Sequence, residues 1–181
     1  KLLETVAAAP FGGRPLIRIA AETALQSQAD EVIVVTGHQS DKVEAVLGGL
    51  NLAFVHNPDF ADGLSTSLIR GLDAVSGDMD AALVCLGDMP RITSDTLDRL
   101  IDAYATDADA RIVVSTVNGK RGNPVLWSRA FFADLKRVHG DVGGRALIGE
   151  HAASVVDVEV GADAGFDVDT PDVLAKLRAG E

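Results

Sequence analysis

A chain of 181 residues, 47% hydrophobic and 24% charged, has the make-up of one soluble globular domain (1-181) with a substantial core. Its formal net charge of −11 argues against a nucleic-acid polymer or an anionic membrane as the main partner. No run reaches the ~18 consecutive apolar residues of a membrane span, the opening Lys1-Leu2-Leu3-Glu4-Thr5 lacks a signal-peptide pattern, and the single cysteine, Cys85, cannot form an internal disulfide; a cytoplasmic location is expected.

The first ten residues show no clear period, and Phe11-Gly12-Gly13-Arg14-Pro15 reads as a turn. An amphipathic helix follows from Pro15, with Leu16, Ile19, Ala20, Thr23 and Ala24 on one face. Val32-Ile33-Val34-Val35 is a β-branched strand ended by Thr36-Gly37-His38. A short helix from Ser40 or Asp41 to Leu47 is stopped by Gly48-Gly49, and Leu52-Ala53-Phe54-Val55 is a third segment of strand character before the Asn57-Pro58-Asp59 turn. In Gly63-Leu64-Ser65-Thr66-Ser67, Ser65 or Thr66 is expected to cap a helix running to about Val75. Such a loop offers free N–H groups to an anion.

Ala81-Ala82-Leu83-Val84-Cys85-Leu86 is an unbroken apolar run closed by Gly87-Asp88-Met89-Pro90. It reads as a strand buried on both faces, with Cys85 as a small core residue. Asp88 falls just past its C-terminal end, the edge at which open α/β sheets bind ligands. Thr93 or Ser94 caps the next helix. Up to this point helices and strands alternate, which means βαβ units and a mostly parallel sheet. Then the pattern changes: Ile112 to Val117 and Lys120 to Trp127 flank Asn118-Gly119, the strongest short signal for a hairpin, and Pro124 marks the second arm as an edge or irregular strand. A helix from Ser128, a turn through His139-Gly140-Asp141-Val142-Gly143-Gly144-Arg145, a half-exposed strand at Val155 to Val160 and a last helix capped by Thr170 with Pro171 complete the chain.

Charge is uneven along the sequence. Arg111, Lys120, Arg121, Arg129, Lys136, Arg137 and Arg145 face only Asp134 and Asp141 between positions 111 and 145, a local excess of five positive charges. Such a stretch could hold a small anion such as a phosphate ester. Two separated carboxylate positions, Asp88 and the Asp167/Asp169 pair, suit a hard cation that takes one or two carboxylates together with substrate phosphates. Asp167-Val168-Asp169-Thr170 also has the D-x-D form of phosphatases with an aspartyl nucleophile, but it sits at the wrong end of the chain. His38, His56, His139 and His151 do not pair at metal-ligand spacing, and no nucleophile elbow or P-loop is present.

Taken together and in order, Gly13-Arg14-Pro15-Leu16-Ile17, Val34-Val35-Thr36-Gly37-His38, His56-Asn57-Pro58-Asp59-Phe60, Gly63 to Leu68, Leu86-Gly87-Asp88-Met89-Pro90, Arg121 to Leu126, Gly140 to Arg145 and Asp167 to Pro171 resemble the MobA-like nucleotidyltransferases, most closely the molybdenum cofactor cytidylyltransferase branch. The resemblance implies a three-layer Rossmann-like nucleotidyltransferase fold. It implies Mg²⁺-dependent transfer of a nucleoside monophosphate, CMP before GMP, from an NTP to a small phosphorylated acceptor such as molybdopterin, with release of pyrophosphate; a molybdoenzyme or a fused domain would then be a partner. It places Lys1 and Asp88 in catalysis, and Thr36, Asn57, Gly63, Ser65 and Asp88 at the nucleotide. Arg121, Asn123, Asp141 and Arg145 fall at the acceptor, and Asp88 and Asp169 at the metal. The family opens with a first strand and a glycine-rich signature that ends in a lysine before Leu-Leu, and this chain begins at that lysine. The expectation is that the strand and its phosphate loop precede Lys1 in the whole protein. A relative without that loop would instead be a non-catalytic nucleotide-binding or regulatory domain of the same fold.

Overall fold

The computed structural model describes residues 1–6, 11–106, 111–138, 140, 144–162, 166, 168 and 170–179. Strands β1 (Thr5–Val6) and β2 (Arg14–Pro15) form a small antiparallel pair that leads into α1 (Leu16–Leu25). Next, β3 (Ile33–Thr36), α2 (Ser40–Leu47) and β4 (Ala53–His56) make a βαβ unit whose strands run parallel, from Ile33 opposite Ala53 to Thr36 opposite His56. Helix α3 (Leu64–Ala74) precedes β5 (Ala81–Val84), and α4 (Ser94–Thr106) precedes the hairpin of β6 (Ile112–Val117) and β7 (Lys120–Ser128). Two short helices, α5 (Phe132–Leu135) and α6 (Arg145–Glu150), then strand β8 (Val155–Glu159) and helix α7 (Pro171–Ala179) follow.

Period-two alternation explains the layers. On β6, Ile112 and Val114 point to one face and Val113 to the other, and all three are fully buried. The first face packs with Val125, Trp127, Leu72 of α3 and the Phe131, Phe132 and Leu135 of the α5 region. The opposite face packs Val113 and Leu126 against Leu100 of α4. Helices therefore cover both faces of the sheet, the three-layer α/β arrangement expected from the sequence. The sheet runs β5-β7-β6-β8, with β5–β7 and β7–β6 antiparallel and β6–β8 parallel; α3 also packs on β3 and β4.

Two expectations are corrected and a third is narrowed. The strand expected to be buried on both faces is only four residues long, and each of its residues is half-buried. Among the described residues β5 pairs on one side only, with β7. Burial of a strand is set by what lies beside it, and the position flanked on both sides belongs to β6. Cys85, expected in the core, lies past the paired residues and is exposed. The residue as a whole is exposed, while desolvation around its sulfur pushes the thiol up to about 12. Of the two forms expected for the second arm, edge or irregular strand, the irregular one is found: β7 lies between β5 and β6 and its register with β6 shifts. Pro124 is accommodated because the β6–β7 register shifts between Val114 and Thr116, and β5 stops pairing at Val125, so the missing N–H of Pro124 is not asked for by the ladder.

The Asn118-Gly119 turn forms as the dipeptide requires, with φ of 52° and 74°. An acid on β8 clasps it. The Glu159 carboxylate accepts hydrogen bonds from the Asn118 N–H at 2.7 Å, the Gly119 N–H at 3.1 Å and the Thr116 hydroxyl at 2.8 Å. These bonds, led by the Gly119 and Asn118 amides, favour the anion and hold the Glu159 carboxyl below the usual 4.5. A carboxyl depressed on folding contributes stability above its unfolded pKa and loses it as pH falls through its folded pKa. Acidification from about pH 6 to about pH 3 should therefore release the Asn118 and Gly119 amides. Their NMR shifts are expected to titrate together with an apparent pKa below that of an unstructured glutamate. Titration at the free value would show that the clasp is not formed in solution.

Candidate active site

Asp88 sits where strand-end logic places it, four residues beyond the last residue of β5, and its position is fixed from three directions. Lys1 approaches from the N-terminal segment, with Nζ 2.6 Å from Oδ2 of Asp88. That segment is itself tied down by the Ile17 N–H, which donates to the Leu2 carbonyl at 3.1 Å. Below, Gly87 allows the close approach: a Cβ there would lie 2.9 Å from Ile17 Cδ1 and 3.3 Å from Leu2 Cδ2. From the C-terminal part of the chain, the Val168 N–H donates to the Asp88 carbonyl at 3.0 Å. Val168 is completely buried, with Val6, Leu16 and Leu174 in its cluster. The sequence neighbours of Val168, Asp167 and Asp169, lie outside the described residues.

The Asp88 side chain retains 18% exposure, yet its Oδ1 is buried with no hydrogen-bond partner among the described residues. A buried carboxylate oxygen without a donor carries a desolvation cost, and a bound ion is one of the arrangements that removes it. An anionic, acceptor-only oxygen fits a hard divalent cation. Among the described residues no cluster of three or more acidic, histidine or cysteine side chains could enclose a metal alone.

A second group gathers at the ends of β3 and β4. Asn57 is fully buried, and its N–H donates to the Thr36 carbonyl at 2.7 Å. Its side-chain amide donates to Thr66 Oγ1 at 2.8 Å and to Ser67 Oγ at 3.0 Å, while its carbonyl oxygen accepts from the Asp59 N–H at 3.0 Å. Asn57 thus uses both of its side-chain N–H donors and its side-chain oxygen to stitch the 57–67 loop together; it organises the loop from within. The expected hydroxyl cap on α3 is not what forms. Gly63 is the N-cap, with φ 109° and ψ 166°, a region open essentially to glycine, and no side chain caps the helix. Thr66 Oγ1 instead has the Gly63 carbonyl at 2.8 Å and the Asp59 carbonyl at 3.0 Å as acceptors for its single proton. Ser65 is buried at 3% exposure, and Thr36 Oγ1 is a buried hydroxyl with no partner among the described residues. Thr36, Asn57, Gly63 and Ser65 are thereby brought into one neighbourhood.

The residues expected at an acceptor are more dispersed. Arg121, the second residue of β7, makes a bidentate pair with Asp157 of β8, at 2.7 and 2.9 Å, a geometry that raises its pKa. Asn123 is half-buried and precedes Pro124 through a cis bond. Arg145 is exposed at the first position of α6, and Asp141 lies outside the described residues. The positive excess read along the sequence is largely paired in space: Lys136 meets Asp73 of α3 at 2.6 Å, Arg137 meets Asp134, and Arg129 donates to the Ser76 and Met79 carbonyls. Sequence reasoning missed Asp157 and Glu159 as organisers of the hairpin. The available signal was their spacing, two acids at i and i+2 on one face of an otherwise apolar strand.

A family model described as the MobA-like NTP transferase domain matches residues 7–155. The chain belongs to this family. As a MobA-like NTP transferase it is a nucleotidyltransferase, and solved structures share its fold throughout. Rv0371c from Mycobacterium tuberculosis H37Rv, in complex with manganese, superposes with a TM-score of 0.82 at 26% identity over 96% of this chain and 90% of that one. The Rv0371c homologue from Mycobacterium sp. strain JC1 reaches 30% identity with a TM-score of 0.80, covering 96% of this chain and 88% of that one. A nucleotidyl transferase from Methanothermobacter, Mth528, gives 0.81 at 26% identity over 99% and 84%. Among curated proteins none matches. No helix in the described part of this MobA-like NTP transferase is long and apolar enough to cross a membrane.

Proposed function

We propose that this nucleotidyltransferase moves CMP from CTP to a phosphate on a small acceptor of the molybdopterin type, with Mg²⁺ on the triphosphate, and releases pyrophosphate. The observation that carries the reading is the Asp88 carboxylate: one oxygen on Lys1 Nζ, the other buried and unpartnered, at the end of β5. The ordered motifs of the molybdenum cofactor cytidylyltransferase branch support CTP and the acceptor class, and the manganese complex of a structural relative supports a divalent ion.

In this reading an oxygen of the acceptor phosphate attacks the α-phosphorus, the bond from that phosphorus to the bridging oxygen breaks, and pyrophosphate departs. The reaction needs alignment and charge neutralisation, and no side-chain nucleophile. Mg²⁺, when bound, supplies neutralisation of the triphosphate oxygens. Asp88 and Asp169 would hold it. Lys1 would turn its ammonium from Asp88 to phosphate oxygens, a point charge suited to a shifting anion. Thr36, Asn57, Gly63 and Ser65 would shape the nucleoside pocket, with the orphan hydroxyl of Thr36 available to a ligand. Arg121, Asn123, Asp141 and Arg145 would orient the acceptor.

Pyrophosphate release measured with CTP and with GTP, each with and without molybdenum cofactor, tests this. Release that needs both CTP and the cofactor is expected. Equal rates with the two nucleotides would overturn the base assignment, and release indifferent to the cofactor would overturn the acceptor.

A further inference from the structure

Phe54, Phe60 and Leu64 are the large apolar side chains left exposed among the described residues, and two of them lie on the 57–67 loop. Phe60 is 41% exposed, yet its root is fixed. Its side chain rests against the backbone of Gly37, where a Cβ would come within 2.6 Å of Phe60 Cβ and 2.9 Å of Phe60 Cγ. A side chain at position 37 would therefore displace Phe60. The His38 ring stands beside it, tilted by 55° with 5.9 Å between centroids. The loop that carries Phe60 is held from within by Asn57, through Thr66, Ser67 and the Asp59 N–H. The Asp62 N–H closes a further turn onto the Asp59 carbonyl at 3.0 Å. Phe60 thus touches the residue that follows Thr36, and it precedes Gly63, the N-cap of α3, on the same loop.

We infer that Phe60 is the platform on which the base of the nucleoside triphosphate stacks. The inference rests on the nucleotide reading given above and adds to it the group that takes the face of the base. A single exposed aromatic residue is ordinary on a protein surface. The seat is what sets Phe60 apart. A loose surface ring loses conformational freedom when a ligand lies on it, whereas a ring already held by Gly37 and a stitched loop loses little. A flat heterocycle laid on it removes apolar area of both partners from water. Directly before the seat, Thr36 carries a buried hydroxyl with no partner among the described residues. One strand end therefore offers an apolar face and an unmatched polar atom. A nucleoside, flat on its faces and polar at its edges, presents both kinds of surface. Stacking accepts any base, because each has a π-face, so this role is independent of whether CTP or GTP is the donor.

The test is calorimetric titration of the whole protein with CTP and with inorganic tripolyphosphate, each with Mg²⁺, for wild type, Phe60→Leu and Phe60→Tyr. Tripolyphosphate keeps the phosphates and lacks the base. Phe60→Leu retains the Cβ and Cγ that rest on Gly37 and removes only the ring, at a surface position where the core is not disturbed. It should raise the CTP Kd about threefold to tenfold, the range a stacked aromatic pair supports, and leave the tripolyphosphate Kd unchanged. Phe60→Tyr should keep wild-type affinity for CTP. In Phe60→Trp the new indole should lose fluorescence when CTP binds and keep it with tripolyphosphate; Trp127, 3% exposed, supplies a constant background. No CTP binding by wild type would overturn the nucleotide reading and this inference with it. CTP binding by wild type, matched within threefold by Phe60→Leu, would overturn the stacking role alone. So would an equal loss for CTP and tripolyphosphate, which would trace the effect to the loop. A loss shared by Phe60→Tyr, or a Phe60→Trp signal indifferent to bound CTP, would do the same.

Discussion

Asp88→Asn should reduce pyrophosphate release by about 10²- to 10³-fold, the loss typical when one preorganised charge-stabilising group is removed from a transfer site. The substitution keeps the shape of the side chain and the Asp88 carbonyl that receives Val168 N–H, so the surrounding backbone has no reason to move. What disappears is the negative charge that faces Lys1 Nζ and the anionic oxygen left unpartnered in the buried direction. The Lys1–Asp88 pair is 38% and 18% exposed at its two side chains, so water screens much of its attraction, and the stability change should stay under about 1 kcal/mol. Steady-state kinetics and a thermal melt on the same preparation separate the two effects. Activity within about threefold of wild type would remove Asp88 from the chemistry. A collapse of Tm would instead make it a structural residue.

The largest effect on stability is expected at Trp127, on β7. Its side chain is 3% exposed and packs in one cluster with Phe131, Phe132 and Leu135, with Ile112 and Ala82 opposite it on the two flanking strands. The Phe131 ring meets its edge at 6.4 Å between centroids. From the other side the backbone of Gly144, the residue before α6, comes so close that a Cβ there would collide with the indole. Trp127→Ala removes the whole ring from a site that strands and a backbone segment hold open, so the cavity can collapse only in part. A loss of about 3–5 kcal/mol follows. That is a large fraction of the ~5–15 kcal/mol that stabilises a typical domain. Urea unfolding should show a lower midpoint with an unchanged slope. A loss under about 1 kcal/mol would mean that α6 closes over the gap.

Local chemistry was the legible part of the fold. Helix α2, expected from Ser40 or Asp41 to Leu47, runs from Ser40 to Leu47, because its start and its Gly48-Gly49 stop lie within one turn of its ends. The hairpin was legible for the same reason: two adjacent residues, Asn118 and Gly119, tolerate the positive φ that the turn imposes. Thr93 caps α4 through the Thr96 N–H at 3.2 Å, and Thr170 receives the Val173 N–H at 3.3 Å at the start of α7, both as their positions predicted. Expectations failed where the outcome depends on distant neighbours. An apolar run could say that β5 is a strand but not which side of it would be covered. The positive stretch could be counted but not matched with Asp73 and Asp157, which only folding brings to it.

The candidate site divides along the same line. The sequence by itself determined the family, the α/β alternation and the residue types that chemistry on a triphosphate needs, because these are written in the order of motifs and in single side chains. It also set Asp88 beyond a strand end, in the Gly87-Asp88-Met89-Pro90 run that follows the apolar segment. The tertiary structure alone decided that Lys1 and Val168 meet Asp88 and that one Asp88 oxygen is buried without a donor. It likewise turned Asn57 inward to hold its loop and laid Arg91 on Phe166. These are contacts between segments far apart in the chain, and burial and partner geometry come into existence only when those segments pack.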